Sequence, residues 1–291
     1  MKKLLVTGAS GFLGWNICRI AQKEWEISGT VFSHPLKIPD VNVAKVDLTD
    51  LKELKNVFSE IRPDAVIHAA AASSPNYCQE HPEVSKKINV EASVNIAGLC
   101  ADYRIPCVFT STDLVFDGLH APYREEDPAS PVNIYAEQKV AAEEGVIKTY
   151  PLTAVCRMPL MFGLSVPVYR NFTQEMISAL REGRELKLFI DEFRTPISGE
   201  TAVEGILLAL KKVNGLIHLG GIERISRYNF GLLMMDVFGI REAQLLRCSY
   251  EDKPMSAPRS PDVSLESSKA ITLGFKPLPL REELNRLVGR I

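Results

Sequence analysis

The run Leu4-Leu5-Val6-Thr7-Gly8-Ala9-Ser10-Gly11-Phe12-Leu13-Gly14 constrains the fold more than any other stretch of the chain. Three apolar residues lead into glycines spaced three apart, and from Phe12 to Lys23 the apolar spacing becomes helical. A second strand-like run, Ile27 to Phe32, follows. Strand, glycine turn, helix and strand in this order open a parallel sheet whose turn can bring backbone N–H groups and a helix N-terminus against anionic oxygens. The glycines do not follow the Gly-x-Gly-x-x-Gly form, but a tight turn, a close backbone approach and a helix dipole serve a pyrophosphate in the same way. A glycine-rich turn with no ligand is the other reading. The position of the turn, between strand and helix at the head of a β/α series, favours a dinucleotide.

The alternation continues downstream. Val43 to Val46 and Ala65-Val66-Ile67 repeat the strand signal, and Asp50-x-x-Glu53 marks a capped helix start between them. A helix is expected from about Pro82 to Tyr103, before the strand Cys107-Val108-Phe109, and another from Ile134 to Thr149, before Thr153-Ala154-Val155. Near-continuous apolar strands separated by helices predict an α/β fold, a doubly wound parallel sheet of the Rossmann type covered on both faces. Past Pro159 the rhythm weakens. Helices near Asn171 to Glu182, Glu200 to Val213 and Ser226 to Phe238 alternate with loops rich in Pro, Ser and Arg, and Ser256 to Pro261 reads as an extended loop. The expected organisation is a dinucleotide-binding domain over residues 1–158, with segments returning to it around 195–220, and a smaller, partly discontinuous α/β substrate lobe over 159–291.

Composition excludes several function classes. The 291 residues are 46% hydrophobic, enough for a sizeable core, and 34 basic against 36 acidic residues give a net charge of -2. No bulk electrostatics therefore argue for nucleic acid or an anionic membrane, and no apolar stretch of about 18 residues suggests a span. The six cysteines, Cys18, Cys78, Cys100, Cys107, Cys156 and Cys248, are scattered without a Cys-x-x-Cys pair, as expected of buried free thiols in a reducing, cytoplasmic setting. His81, His120 and His218 have no ligand-like spacing, so no metal is expected.

Folds that prefer NAD offer an acid to the adenosine ribose about twenty residues beyond the last glycine. Here Val31 to Lys37 contains no carboxylate and carries His34 and Lys37, so NADP(H) is expected to be preferred over NAD(H), an ordinary surface loop being the alternative. Thr110-Ser111-Thr112-Asp113 directly follows a sheet strand, and Tyr135 and Lys139 stand four apart on one face of the next helix. In a chain with eight tyrosines the Tyr-x-x-x-Lys spacing alone is a weak signal, but both segments arrive at the sheet's ligand edge. A phenol with a pKa near 10 is a poor acid at neutral pH, and a neighbouring ammonium is expected to lower it by roughly 1–3 units. The hydroxyl of Thr112 or Ser111 can then bond a carbonyl oxygen that accepts a proton from Tyr135 while a nicotinamide delivers hydride. Arg124 to Asp127 reads as a solvated loop. Arg259, a guanidinium between prolines, either forks onto a diphosphate or makes a structural salt bridge.

Through residues 7–14, His68-Ala69-Ala70-Ala71, Asn89, Ser111-Thr112-Asp113 and the Tyr135–Lys139 pair, the chain resembles the extended short-chain dehydrogenase/reductase superfamily. Within it, residues 111–118, 122–139, 191–196 and 259–269 are similar to the dTDP-4-dehydrorhamnose reductase branch and to its relative, the NADP-binding regulatory beta subunit of methionine adenosyltransferase. The resemblance implies that Gly8, Gly11 and Gly14, with Ser10, Phe12 and Leu13, hold the pyrophosphate, and that Asp47 and Leu48 flank the adenine. It implies Ala69, Ala70 and Ala71 along the nicotinamide-side ribose, with Asn89, Thr110 and Pro159 completing the cofactor wall. It implies catalytic roles for Thr112, Tyr135 and Lys139, and substrate contacts from Asp113, Asn171 and Arg259. The Arg-Thr-Ser-Trp segment usual in bacterial members is here Arg157-Met158-Pro159-Leu160, and Leu114 stands where Tyr is usual. The implied activity is NAD(P)H-dependent reduction of a 4-keto nucleotide sugar or a related ketone. The alternatives are a nucleotide-sugar epimerase or dehydratase, or a regulatory subunit with little turnover, in a homodimer or with a protein partner.

Overall fold

The computed structural model describes residues 1–34, 36–166, 171–241, 244–252 and 255–291. Pro35, within the ribose-reading loop, lies outside the described residues. The first half runs β1 (Lys2–Thr7), α1 (Phe12–Ala21), β2 (Trp25–Val31), β3 (Asn42–Lys45), α2 (Leu51–Ile61) and β4 (Ala65–His68). It continues with α3 (Pro75–Glu80), α4 (Pro82–Lys86), a single π-helical turn over Lys87–Glu91, α5 (Ala92–Tyr103), β5 (Cys107–Thr112), α6 (Ile134–Thr149) and β6 (Ala154–Met158). The second half holds β7 (Met161–Phe162), α7 (Phe172–Arg181), β8 (Leu186–Phe189), β9 (Phe193–Arg194), β10 (Ile197–Ser198), α8 (Gly199–Lys212) and β11 (Gly215–His218). β12 (Ile225–Ser226), α9 (Arg227–Val237), β13 (Leu245–Cys248), α10 (Ser268–Leu273) and α11 (Leu280–Asn285) close the chain.

Seven strands form one sheet in the order β11-β6-β5-β4-β1-β2-β3, with every pairing parallel. The chain leaves β1 toward β2 and β3, then crosses back to β4 on the other side of β1. That reversal opens a crevice at the carboxyl ends of β1 and β4, where Thr7 and His68 are register partners. β4, β5 and β6 are buried along their whole length, which is why Ala65–Ile67, Cys107–Phe109 and Ala154–Cys156 read as apolar runs, with polar residues confined to the carboxyl ends. α1 and α8 cover one face, with Ile17, Val203 and Ile206 packed on Leu4, Val6 and Ile67. α2 and α5 cover the other, with Phe58 and Ile96 against Leu5 and Val66.

Local chemistry sets the element ends. Asp50 caps α2 by accepting from the Lys52 and Glu53 amides, whereas the Glu53 carboxylate takes the Asp47 amide at 2.8 Å instead of completing a reciprocal box on Asp50. The continuous helix expected from Pro82 to Tyr103 is interrupted by the π turn, which rotates the Asn89 side chain into the interior. Beyond β6, three two-stranded pairings (β7 with β10, β9 with β12, β8 with β13) and the helices α7, α9 and α11 surround Phe162, Ile177, Phe230 and Leu284. These strands are two to four residues long, too short to show a period in sequence. α8 and β11 return to the large sheet, β11 pairing with β6.

A buried ion pair locks α6 onto β6. Arg157 Nη2 lies 2.8 Å from Glu143 Oε2 and its Nε donates at 3.1 Å to Oε1, while the guanidinium sits 5.0 Å above the Phe116 ring. Glu143 is one turn along α6 from Lys139. The packing of the helix is thereby tied to the environment of its lysine.

Candidate active site

The turn after β1 is shaped by two glycines that cannot be replaced. Gly8 adopts φ +72°, and a Cβ there would meet the Ala70 Cα at 2.8 Å; a Cβ on Gly14 would come within 2.1 Å of the Gly8 carbonyl. Backbone, helix and the Ala69–Ala71 segment are therefore as close as chains can be. Gly11 is the N-cap of α1 and makes no side-chain cap bond, leaving the first-turn N–H groups and the positive end of the helix dipole facing the crevice. This is the geometry a pyrophosphate fits.

The crevice has a volume of about 950 Å³ and runs from this turn in both directions. Gly8, Ser10, Gly11, Phe12, Leu13 and Gly14 form its floor; His34, Asp47 and Leu48 line one end, and Ala69, Ala70, Ala71, Thr110, Tyr135 and Lys139 the other. At the first end Ser33 Oγ lies 2.9 Å from His34 Nδ1, orienting the ring, while Asp47 accepts from the Thr49 amide and hydroxyl at 2.9 and 2.7 Å. Phe32, more than half exposed, also lines this end, and Val84, Lys87, Met158 and Met161 line the rest. Nothing in a linear reading singles these out, because they come from separate places: the end of β2, α4 and the π turn, and the β6–β7 corner.

At the other end the Tyr135–Lys139 pair is wholly enclosed, at 7% and 2% exposure. Lys139 Nζ donates to the Thr110 carbonyl at 2.7 Å and sits 4.0 Å from the centre of the Phe109 ring. Burial pulls its pKa down from 10.5 to about 7, against the Glu143 carboxylate, which favours the charged form. The expectation that Lys139 lowers the phenol's pKa is overturned. Burial raises the Tyr135 pKa well above the ordinary phenol value, the neighbouring Asp113 carboxyl and Cys78 thiol add to the rise, and the Thr112 hydroxyl opposes it. Enclosure disfavours the phenolate more than any neighbour favours it, so Tyr135 is held in its protonated form. His68 is likewise neutral, pushed to about 3 by burial and then by the Lys139 charge, and it bridges the Thr7 and Ser93 hydroxyls at 2.6 and 2.9 Å.

Thr112 donates to Asp113 Oδ1 and accepts from the Leu114 amide, both at 3.2 Å, which makes it the cap of the turn after β5 as well as a neighbour of Tyr135. Asp113 is 4% exposed. Its Oδ2 lies 3.8 Å from Arg194 Nε, and burial raises its pKa to about 6 in spite of that cation. Arg194 also pairs with Glu192 at 2.8 Å and bonds the Ser260 and Pro261 carbonyls, so its fork is engaged. Arg227, on the far side of Glu192 at 3.8 Å, and Arg259 each keep a buried nitrogen without a hydrogen-bond partner among the described residues.

Six expected residues lie outside the crevice lining: Thr112, Asp113 and Arg259, beyond its Tyr135 end, and Asn89, Asn171 and Pro159. Asn89 turns inward and clamps both backbone groups of Ala72, at 2.8 and 3.2 Å, while donating to Gln138 at 2.9 Å. Asn171 spends its amide on the capping box of α7 and on the Gly163 carbonyl at 2.7 Å. Pro159 follows β6 outside the lining residues. Among the described residues no group of His, Cys, Asp and Glu could hold a metal, and no helix is long and apolar enough to cross a membrane.

The family model described as the RmlD substrate binding domain matches residues 1–291. The chain belongs to this family. Methionine adenosyltransferase 2 subunit beta of Bos taurus is 26% identical over 283 residues, covering 94% of this chain and 83% of its own. A probable low-salt glycan biosynthesis reductase, Agl14 of Haloferax volcanii, is 30% identical over 263 residues and 87% of each chain. The crystal structure of dTDP-4-dehydrorhamnose reductase from Bacillus anthracis in complex with NADP shares the fold, with a TM-score of 0.87 at 23% identity over 99% of both chains.

The enclosed lysine of this RmlD-family site gives a stability test. The unfolded chain takes up the Lys139 proton below about 10.5, the folded protein only near 7, so between those values the unfolded state binds more protons and stability rises with pH. Lys139→Met is expected to unfold in urea at least as late as the wild type at about pH 7.5. Its advantage should shrink toward about pH 9.5, by at most about 1.4 kcal/mol per pH unit. A difference between the two proteins that does not change with pH would contradict the burial argument.

Proposed function

We propose that the protein is an NADPH-dependent reductase that converts the ketone of a 4-keto sugar, carried on a nucleoside diphosphate, to an alcohol. One observation carries this reading: a helix N-terminus open to a pyrophosphate and an enclosed, protonated Tyr135 beside Lys139 face the same crevice. The bound nicotinamide supplies hydride to the carbonyl carbon. Tyr135 gives its hydroxyl proton to the carbonyl oxygen as charge develops there, and a phenol kept protonated by burial is in the state that a reduction consumes. Lys139, anchored on the Thr110 carbonyl, would offer its remaining donors to the nicotinamide-side ribose, and the Thr112 hydroxyl steadies the Tyr135 oxygen.

His34 lines the adenosine end and Val31 to Lys37 carries no carboxylate, which suits a 2′-phosphate, and the Bacillus anthracis relative, crystallised with NADP, supports the same cofactor. Arg259 and Arg227 recognise the substrate's diphosphate, since Arg194 is engaged elsewhere. The Haloferax relative's name supports reductase chemistry. Elimination requires an acid and a base, and Leu114 beside Asp113 leaves one carboxylate at the end of β5. A second reading, an NADP-binding partner protein, draws on the methionine adenosyltransferase beta subunits that align over 94% of the chain. The five buried thiols fit a cytoplasmic setting.

The test is NADPH absorbance during incubation with dTDP-, UDP-, GDP- and CDP-linked 4-keto sugars. Loss of one NADPH per alcohol formed supports the reductase. An altered sugar with cofactor retained points to epimerisation or dehydration, and tight NADPH binding with no turnover and a stoichiometric enzyme partner points to the regulatory role. Calorimetric titration should find NADPH bound at least as tightly as NADH. His34→Asp should weaken NADPH more than NADH, because a carboxylate repels the 2′-phosphate yet accepts from a ribose hydroxyl. Equal losses would put His34 away from the phosphate.

A further inference from the structure

The side-chain amide of Asn133 is used at both ends. Its Oδ1 accepts the Ala136 N–H at 3.0 Å, capping α6, and its Nδ2 donates to the Pro258 carbonyl at 3.0 Å. The residue is 4% exposed. Asn133 lies two residues before Tyr135, and Pro258 lies immediately before Arg259. The segment around Arg259 is anchored on either side of this bond. Ser256 Oγ and the Ala257 amide reach Glu80 and Asn76 of α3, each at 3.2 Å. Ser260 Oγ donates to the Phe116 carbonyl at 2.7 Å, and the Ser260 carbonyl accepts from Arg194 at 3.2 Å. α3 is itself joined to the start of α6, where Gln79 accepts the Ile134 amide at 3.4 Å. The strand of chain that carries Arg259 thus crosses the N-terminus of the helix that carries Tyr135 and Lys139, and the buried contact at the crossing is Asn133.

Capping alone does not call for asparagine. Serine, aspartate and threonine also offer the acceptor that an N-cap needs, whereas an amide presents an acceptor and a donor in one rigid plane. The donor is the part that capping leaves unused, and here it holds the backbone next to Arg259.

We propose that Asn133 is a positioning residue that sets the Arg259 segment against Tyr135, so that the substrate's anionic group and its reacting carbonyl are held in one register. The proposal rests on the reductase reading, in which Arg259 recognises the anion and Tyr135 donates the proton. A shift of the segment along α6 moves the anion site relative to the proton donor without touching the dinucleotide cradle, which lies on β1, α1 and β4.

Asn133→Ser keeps the cap acceptor and removes the donor. It is expected to raise KM for the nucleotide-linked ketone about three- to tenfold, the scale of one hydrogen bond, with kcat and NADPH affinity near wild type. Amide exchange measured by mass spectrometry should quicken over residues 255–261 and stay unchanged over residues 134–149. Asn133→Asp, which keeps length and cap but turns an acceptor toward the Pro258 carbonyl, should act in the same direction and decides the matter if the serine variant does not fold. An unchanged KM, unchanged exchange over 255–261, or a loss confined to kcat and NADPH affinity would overturn the proposal. If the wild type reduces no ketone, the reductase reading fails by itself. The positioning role is then judged by calorimetry with dTDP alone and by the exchange pattern: weaker dTDP binding and faster exchange in Asn133→Ser support it, and equal values overturn it.

Discussion

Lys139 is a primary amine with almost no contact with water, held by one carbonyl and one aromatic face. Much of the surrounding structure answers that constraint. Its acceptor, Thr110, and its ring, Phe109, come from β5, so the helix that carries the lysine must keep a fixed height and rotation over the end of that strand. Glu143, one turn along, keeps the ammonium form accessible, and Arg157 secures Glu143 by a bidentate contact that also fastens α6 to β6. Asn133 fixes the helix start. A charge that costs stability near neutral pH is thus held in place at the carboxyl edge of the sheet, where ligands of doubly wound folds bind.

The same enclosure sets the protonation state of the site. A phenol out of water resists ionisation, and Asp113 beside it, itself raised to about 6 by burial, adds to that resistance whenever it carries charge. A site built to take a proton from an alcohol would need the phenolate. Here the phenol keeps its proton, the form that the proposed ketone reduction uses. Asp113 also joins Tyr135 to the Glu192, Arg194 and Arg227 charges of the second half of the chain, so the two halves meet beside Tyr135.

Much of this was legible in the sequence, and the limits are instructive. The turn from Gly8 to Gly14 was readable because steric necessity leaves glycine no substitute there, and the buried strands because parallel strands covered on both faces are mostly apolar. The Tyr135–Lys139 face followed from helical geometry alone. The sign of the Tyr135 pKa shift did not, because it depends on how completely the pair is enclosed, and that is a property of the assembled fold. The inward turn of Asn89 depends on a π turn with no composition of its own, and the capping box that occupies Asn171 shows only in the folded chain. Arg227 and Arg194 became distinguishable only when their partners were known. Residues whose role lies in the local backbone could be read from the chain; those whose role lies in a neighbour's charge could not.

The central claim is that Tyr135 is the proton donor of a ketone reduction, and its most direct test is the turnover of Tyr135→Phe under saturating NADPH with a substrate that the wild type reduces. The ring's packing is kept and one hydroxyl is lost. The account predicts unchanged folding and NADPH affinity with kcat lowered by roughly 10²–10⁴-fold, the scale of a positioned acid. A Tyr135→Phe protein that keeps more than about a tenth of the wild-type kcat would contradict it.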